Sequence, residues 1–154
     1  MKEKYSLLWA FIVNQEEIIQ NIIEKIEDLK PTNEDKQVHL AYQLHNLYSS
    51  YEDLFKEVAI TFENNMDRNS GYHKNLLLRM KIAIPGIRPG ILSDKSHIIL
   101  GELMGFRHVF RHAYDYNLSS DKLKNLREKV LLHYPGIKDD IQKFKEFLKE
   151  KFSE

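Results

Sequence analysis

Two arginines, two histidines and a tyrosine lie within eight residues of this chain, in the segment RHVFRHAY. Arginine carries a permanent positive charge and a planar set of donors that match the oxygens of a phosphate. Histidine can take up or release a proton near neutral pH, and a tyrosine hydroxyl can donate, accept or be modified. Together these groups could carry out chemistry on a phosphodiester. They are Arg107, His108, Arg111, His112 and Tyr114.

The apolar residues around this segment repeat with the period of a helix. At about 100° per residue, Arg107 and Tyr114 flank the apolar stripe on one side, whereas His108 and His112 lie on the far side. Arg107 and His112 then point roughly 140° apart. One chain can bring them together only if the helix ends near His112; otherwise a second chain must complete the site. The stripe consists of Ile99, Leu103, Phe106, Phe110 and Ala113.

RNA cleavage through the adjacent 2′-hydroxyl needs a proton-transferring group and a cation that stabilises the phosphate. His112 would transfer the proton, Arg107 would supply the charge, and His108 would orient either of them. No carboxylate cluster adjoins these residues to hold Mg²⁺, so we expect a metal-independent reaction without a cofactor. His108 and His112 have the i, i+4 spacing of zinc ligands, but position 109 is Val and no third ligand is evident. We therefore predict no metal site.

The order Arg107, four residues, His112, one residue, Tyr114 resembles the signature of HepT-like ribonuclease toxins, a branch of the HEPN domains. The likeness extends over nearly the whole chain. It includes the tyrosine-rich helix after Pro31, the Pro-Gly loop at residues 85–90 and the tail YPGIKDDIQKFKEFL. The motif near the end of a late helix, in an all-helical chain of this length, is more specific than the motif alone.

This resemblance implies an endoribonuclease toxin that forms a homodimer, with the two motifs facing one cleft. It also implies an MntA-like nucleotidyltransferase antitoxin that transfers AMP from ATP to Tyr114, with Tyr116 as a second candidate acceptor. The added phosphate and adenosine would block RNA by charge and by volume. The alternative is a non-catalytic interaction module that binds a nucleotidyltransferase, docking through Tyr114 and a basic face.

Composition predicts one domain over residues 1–154, with zero net charge and no cysteine. The apolar start lacks a cleavage site, and no segment is long and apolar enough for a membrane, so we expect a cytoplasmic protein. Residues 73–112 hold seven Lys/Arg and two acids. This asymmetry makes Arg88 and Arg111 candidate RNA-binding residues. Internal pairing with distant acids is the simpler interpretation, and Arg88 is as well explained as a turn residue.

The periodicity predicts an all-α antiparallel helical bundle, without strands or repeats. The second helix carries apolar residues on two sides, so it is either the central helix of the bundle or faces another protomer. Pro135-Gly136 should break or kink the last helical region. Predicted caps are Thr32–Asp35, Ser93 or Asp94, and Ser119 or Ser120. The predicted helices span about residues 4–29, 33–64, 72–82, 94–116, 121–133 and a final segment after Gly136.

Overall fold

The structure, a computed structural model, describes residues 2–63, 72–112 and 119–154, except for the side chains of residues 72, 73, 109, 111 and 112. This part of the chain forms an all-α bundle, as predicted. Its extended backbone is limited to an isolated bridge between Ile84 and Arg88. None of the described helices combines the length and apolarity needed to span a membrane. The helices are α1 (Lys2–Asp28), α2 (Glu34–Glu63), α3 (Tyr72–Lys81), α4 (Asp94–His112) and α5 (Ser120–Ser153).

Helix α2 is the central helix of the bundle, because it packs against each of the other four helices. Most of its two apolar stripes is buried. The first stripe consists of Leu40, Leu44, Leu47, Tyr51, Leu54, Val58 and Phe62, and the second of Val38, Ala41, Tyr42, Tyr48, Phe55 and Ala59. The prediction of a helix buried on two sides is therefore confirmed, and the chain itself supplies most of the cover. Two members of the second stripe, Val38 and Tyr42, remain about half exposed, at 53% and 52%. Asn33 caps the helix through Lys36, rather than the predicted Thr32.

The start of α4 is fixed to α5 through its N-cap residue. The Oγ of Ser93 accepts from the backbone N–H of Ser96, which identifies Ser93 as the cap, one of the two residues predicted. Ser93 also donates from its backbone and from its hydroxyl to Asp140 of α5, at 2.9 and 2.8 Å. Because Leu100 and Leu103 are fully buried, the cap and the core together set the rotation of α4.

Helix α5 continues through Pro135, so the predicted break at Pro135-Gly136 is wrong. A proline inside a helix loses one backbone hydrogen bond and costs about 3 kcal/mol. Each large apolar side chain buried on α5 recovers about 1.5–3 kcal/mol, so its packing outweighs that cost. Ser119 caps the helix, as predicted. The buried residues that flank the proline on one face are Leu123, Leu126, Val130, Ile137, Ile141, Phe144 and Leu148.

Polar contacts between α1 and its neighbours hold the bundle closed around α2. Gln15 donates to the carbonyl oxygen of Ser50 at 2.9 Å, and Glu16 forms an ion pair of 2.6 Å with Lys145 of α5. The hydroxyl of Tyr134 donates to Gln20. Burial, with smaller contributions from the charges of Tyr134 and Glu16, raises the pKa of the Tyr51 hydroxyl well above its ordinary value.

The loop between α3 and α4 is tight and uses two glycines for different reasons. The backbone N–H of Ile84 donates to the carbonyl oxygen of Arg88 at 2.9 Å, and the N–H of Arg88 donates to the carbonyl oxygen of Ile84 at 3.0 Å. These two bonds close a turn through Gly86. Gly86 has φ of +77°, a conformation that other residues rarely adopt. Gly90 passes close to α3, and a Cβ added there would lie 2.5 Å from the carbonyl oxygen of Lys81.

These surroundings predict opposite effects for two glycine substitutions. Gly90→Ala should destabilise the protein by about 1–3 kcal/mol, because the backbone of Lys81 must move. Gly136→Ala should stabilise it by about 0.5–1 kcal/mol, because α5 is helical there and no atom lies within 4 Å of the added Cβ. Urea denaturation monitored by circular dichroism measures both, and equal midpoints for the two variants would contradict the prediction.

Candidate functional site

Arg107, the first residue of the motif, points back against α2 within its own chain. Its Nη1 lies 3.6 Å from Oε1 of Glu52, and its Cζ lies 5.9 Å from the centroid of the Tyr48 ring. The side chain is 16% exposed. Arg107 follows the buried Leu103 by one helical turn, so the burial of Leu103 turns Arg107 towards α2. The guanidinium is thus held between a carboxylate and an aromatic face.

Glu52 is a functional candidate that the sequence reasoning missed. Its side chain is only 3% exposed, and Lys56, one turn further along α2, lies 3.5 Å from the same oxygen that faces Arg107. A buried carboxylate is costly unless cations accompany it. A signal for it exists in the sequence, because position 52 continues the second apolar stripe of α2 at three- and four-residue spacing. A charged residue at such a position indicates a buried partner.

The hydrogen-bonding groups of Arg107 are largely uncommitted. At 3.6 Å the contact with Glu52 is an ion pair and is longer than a hydrogen bond. The Nε of Arg107 is buried and finds no hydrogen-bond partner within the residues that the structure describes. Arg107 therefore combines a compensated charge with free donors, which is the state that can receive a phosphate.

Arg88 is the opposite case, and its position does not favour the RNA-binding interpretation. Its side chain is fully buried, and Nη2 donates to Glu63 at 2.7 Å. Nη1 and Nη2 also donate to the carbonyl oxygens of Ile82, Pro89 and Arg79, each at 3.1 Å. These bonds tie the loop before α4 to α3 and to the end of α2. Arg88 is thus a structural residue of the loop.

Internal ion pairs account for much of the basic character of residues 73–112. Arg79 and Arg88 both pair with Glu63, Lys81 pairs with Asp94, and Arg107 pairs with Glu52. Four of the seven cations in this stretch are therefore matched by acids of the same chain. The interpretation of pairing with distant acids is confirmed for Arg79, Arg88 and Arg107, since the partner of Lys81 belongs to the same stretch. The side chain of Arg111 lies outside the described part.

His45 of α2 lies next to α4, the helix that carries the motif. The ring of His45 lies 5.2 Å from that of Phe110, so α2 presents His45, Tyr48 and Glu52 on successive turns along α4. His45 was also missed by the sequence reasoning, although it continues the second stripe. His108, one of the predicted catalytic residues, is exposed on α4.

The structure brings Arg107 together with Tyr48 and Glu52, and it leaves the rest of the motif as a prediction. His112 is the last residue of α4 that is described, but its side chain is outside the description. Tyr114 and Tyr116 lie outside the described residues altogether. In the described ranges no three His, Cys, Asp or Glu side chains are grouped closely enough to hold a metal ion.

Comparison with known proteins identifies the family. A family model described as "HepT-like protein" matches residues 39–148, more than two thirds of the chain, including Glu52, Arg107 and His112. No curated protein and no solved structure gives a significant match. The chain therefore belongs to the HepT-like proteins of the HEPN superfamily.

Proposed function

We propose that this protein is a metal-independent endoribonuclease and acts as the toxin of a toxin–antitoxin pair. The observation that supports the proposal is the state of Arg107: Glu52 compensates its charge, while its Nε has no hydrogen-bond partner among the residues that the structure describes. The Nε of Arg88 also has no partner among the described residues, but both of its Nη nitrogens donate to acceptors, as expected for a structural arginine. Family membership and the spacing of Arg107, His112 and Tyr114 agree with the same function.

In the proposed reaction the 2′-oxygen of a ribose attacks the adjacent phosphorus and the 5′-oxygen of the next nucleotide leaves. The attacking hydroxyl loses a proton and the leaving oxygen gains one, so one cyclic phosphate and one free 5′-hydroxyl result. His112 takes part in this proton transfer, and His108 orients His112 or Arg107. Arg107 stabilises the negative charge that accumulates on the phosphate oxygens in the transition state.

A metal-free route is consistent with the groups around Arg107. The carboxylate of Glu52 already faces two cations, Arg107 and Lys56, at 3.6 and 3.5 Å. An oxygen held in this way is poorly placed to bind Mg²⁺, which needs several free oxygen ligands.

We expect Arg107→Ala and His112→Ala to reduce RNA cleavage by about 100-fold or more, because each removes a group needed in the transition state. Cleavage of a labelled RNA, measured in EDTA with and without added Mg²⁺, tests both the residues and the absence of a metal. Loss of cleavage in EDTA, or full activity in both variants, would contradict the mechanism. Gly136→Ala serves as a control, since it lies on exposed α5 surface away from the motif.

Arg107→Ala also leaves Glu52 buried with less compensation, so this variant can lose stability as well as activity. Its assay should therefore be run well below its measured melting temperature. Arg107→Lys retains a charge beside Glu52 while it loses the planar donors. A folded Arg107→Lys protein with strongly reduced cleavage would support the catalytic role.

A homodimer is the second part of the proposal. Arg107 is turned towards α2 of its own chain. The five-residue spacing of the motif predicts that a histidine at position 112 lies roughly 140° around a helix from position 107. A second chain can supply the missing histidine. The second stripe of α2 is largely covered inside the chain, so the available surface is narrower than the whole stripe. The surface available to a second chain consists of the exposed Val38 and Tyr42. On α2, Val38 lies two turns before His45 and Tyr42 lies one turn before it.

We expect sedimentation velocity at micromolar concentration to show a dimer, and Val38→Glu with Tyr42→Glu to shift it towards monomer. The physical reason is the cost of burying charges in an apolar interface. Cleavage should fall in parallel with dimer content. A wild-type monomer that cleaves RNA would refute the shared site. The matched control is Leu132→Glu, at a residue of α5 that is 74% exposed.

Regulation by a nucleotidyltransferase completes the proposal. Tyr114 follows Arg107 by seven residues, which places it on the same side of a continuing helix. AMP on its hydroxyl would bring a negative phosphate towards the free donors of Arg107 and exclude the phosphate of RNA.

We expect a cognate nucleotidyltransferase with ATP to add AMP at Tyr114 and abolish cleavage, while Tyr114→Phe stays active. Intact-mass spectrometry followed by peptide mapping locates the added group. Mapping to Tyr116 would identify the alternative acceptor, and mapping outside residues 114–116 would refute this regulation. Binding to that enzyme without any RNA cleavage would instead support the non-catalytic interaction module.

A further inference from the structure

In the part of the chain that the structure describes, Arg88 and Arg107 each pair with a largely buried glutamate, and the two arginines differ in how completely they are bonded. Arg88 and Glu63 are in contact at 2.7 Å, and carbonyl oxygens occupy most of the remaining donors of Arg88. Arg107 and Glu52 are separated by 3.6 Å, and Arg107 is bordered on another side by the ring of Tyr48. The first pair can only stabilise the loop. The Arg107–Glu52 pair leaves the guanidinium of Arg107 able to bind a phosphate.

We propose that Glu52 is a positioning residue for Arg107. Its carboxylate, with the ring of Tyr48, holds the guanidinium in the orientation needed to receive the phosphate in the transition state. Lys56 in turn holds the carboxylate, because it lies 3.5 Å from the oxygen that faces Arg107. All three groups belong to α2, the most enclosed helix of the bundle, so the support is rigid. This inference rests on the proposed ribonuclease function.

Glu52 acts on the orientation of Arg107 and not on the affinity of the protein for RNA. An arginine side chain has several rotatable bonds, and restricting them before the substrate arrives lowers the barrier to reaction. A negative charge beside Arg107 does not favour RNA binding, because it opposes the phosphates of the RNA. The carboxylate should therefore support kcat while it contributes nothing favourable to KM.

The test is Glu52→Gln, which keeps the shape of the side chain and removes its charge. We expect kcat for RNA cleavage to fall by about 10- to 100-fold, since small misplacements of a catalytic group have effects of this size. KM should stay within about twofold or decrease, as for a group that acts in the transition state. Glu52→Asp, which restores the charge on a shorter side chain, should recover part of the lost kcat.

The matched control is Glu63→Gln, which breaks the other buried pair. It should lower the melting temperature through the loss of the Arg88 contact and leave kcat unchanged at temperatures well below the transition. In an Arg107→Ala background, Glu52→Gln should cause no further loss of cleavage, because the two residues act through one group.

A second measurement reports on Arg107 without requiring activity. The Nε–H signal of Arg107 in an ¹⁵N NMR spectrum, assigned by its loss in Arg107→Lys, should be observable because this nitrogen is buried. In Glu52→Gln it should be lost to exchange with water, whereas Glu63→Gln should perturb the signals of Arg79 and Arg88 and leave that of Arg107 unchanged. Glu52→Asp should restore it in part.

The outcomes separate the two proposals. An unchanged Arg107 signal in Glu52→Gln, or a drop in kcat of the same size in Glu63→Gln, would overturn the positioning role. A wild-type protein that cleaves no RNA, together with an Arg107 signal that depends on Glu52, would overturn the ribonuclease function. In that case the carboxylate would still position the arginine for another anionic ligand.

Discussion

The enclosure of α2 by the other four helices is the constraint on which the rest of this structure depends. It removes both sides of one helix from water, including the carboxylate of Glu52. A buried carboxylate requires a cation, and Lys56 from the same helix is joined by Arg107 from α4. The packing of the core therefore determines where the motif arginine points. The candidate site is a consequence of the burial of α2.

The two buried arginines illustrate how one residue type serves two purposes. Arg88 donates hydrogen bonds to Glu63 and to three carbonyl oxygens, so it stabilises the loop that precedes α4. That loop also positions Ser93, which joins the start of α4 to Asp140 of α5. Arg107 makes fewer hydrogen bonds to the described residues than Arg88 does. A binding group needs free donors, and the structure leaves them on the arginine that belongs to the motif.

Ion pairs within the chain reduce the positive charge that residues 73–112 present to a ligand. The basic stretch at residues 73–112 suggests a cationic surface when it is read as a line of residues. In the folded chain, four of its cations form ion pairs with three carboxylates, those of Glu52, Glu63 and Asp94. An anionic ligand would thus be recognised by a few local donors and not by a broad positive field.

The sequence alone determined the helical class, most of the approximate helix boundaries, the cap of α4 as Ser93 or Asp94, and the family motif, because periodicity and capping are local properties. Tertiary structure decided the contacts of Arg88, Arg107 and Glu52, since each depends on a partner far away in the chain. It also decided that α5 continues through Pro135, where the local cost of a proline is smaller than the gain from burying the helix face on both sides of it. Local rules state what each segment prefers, and burial against distant residues decides which preference prevails.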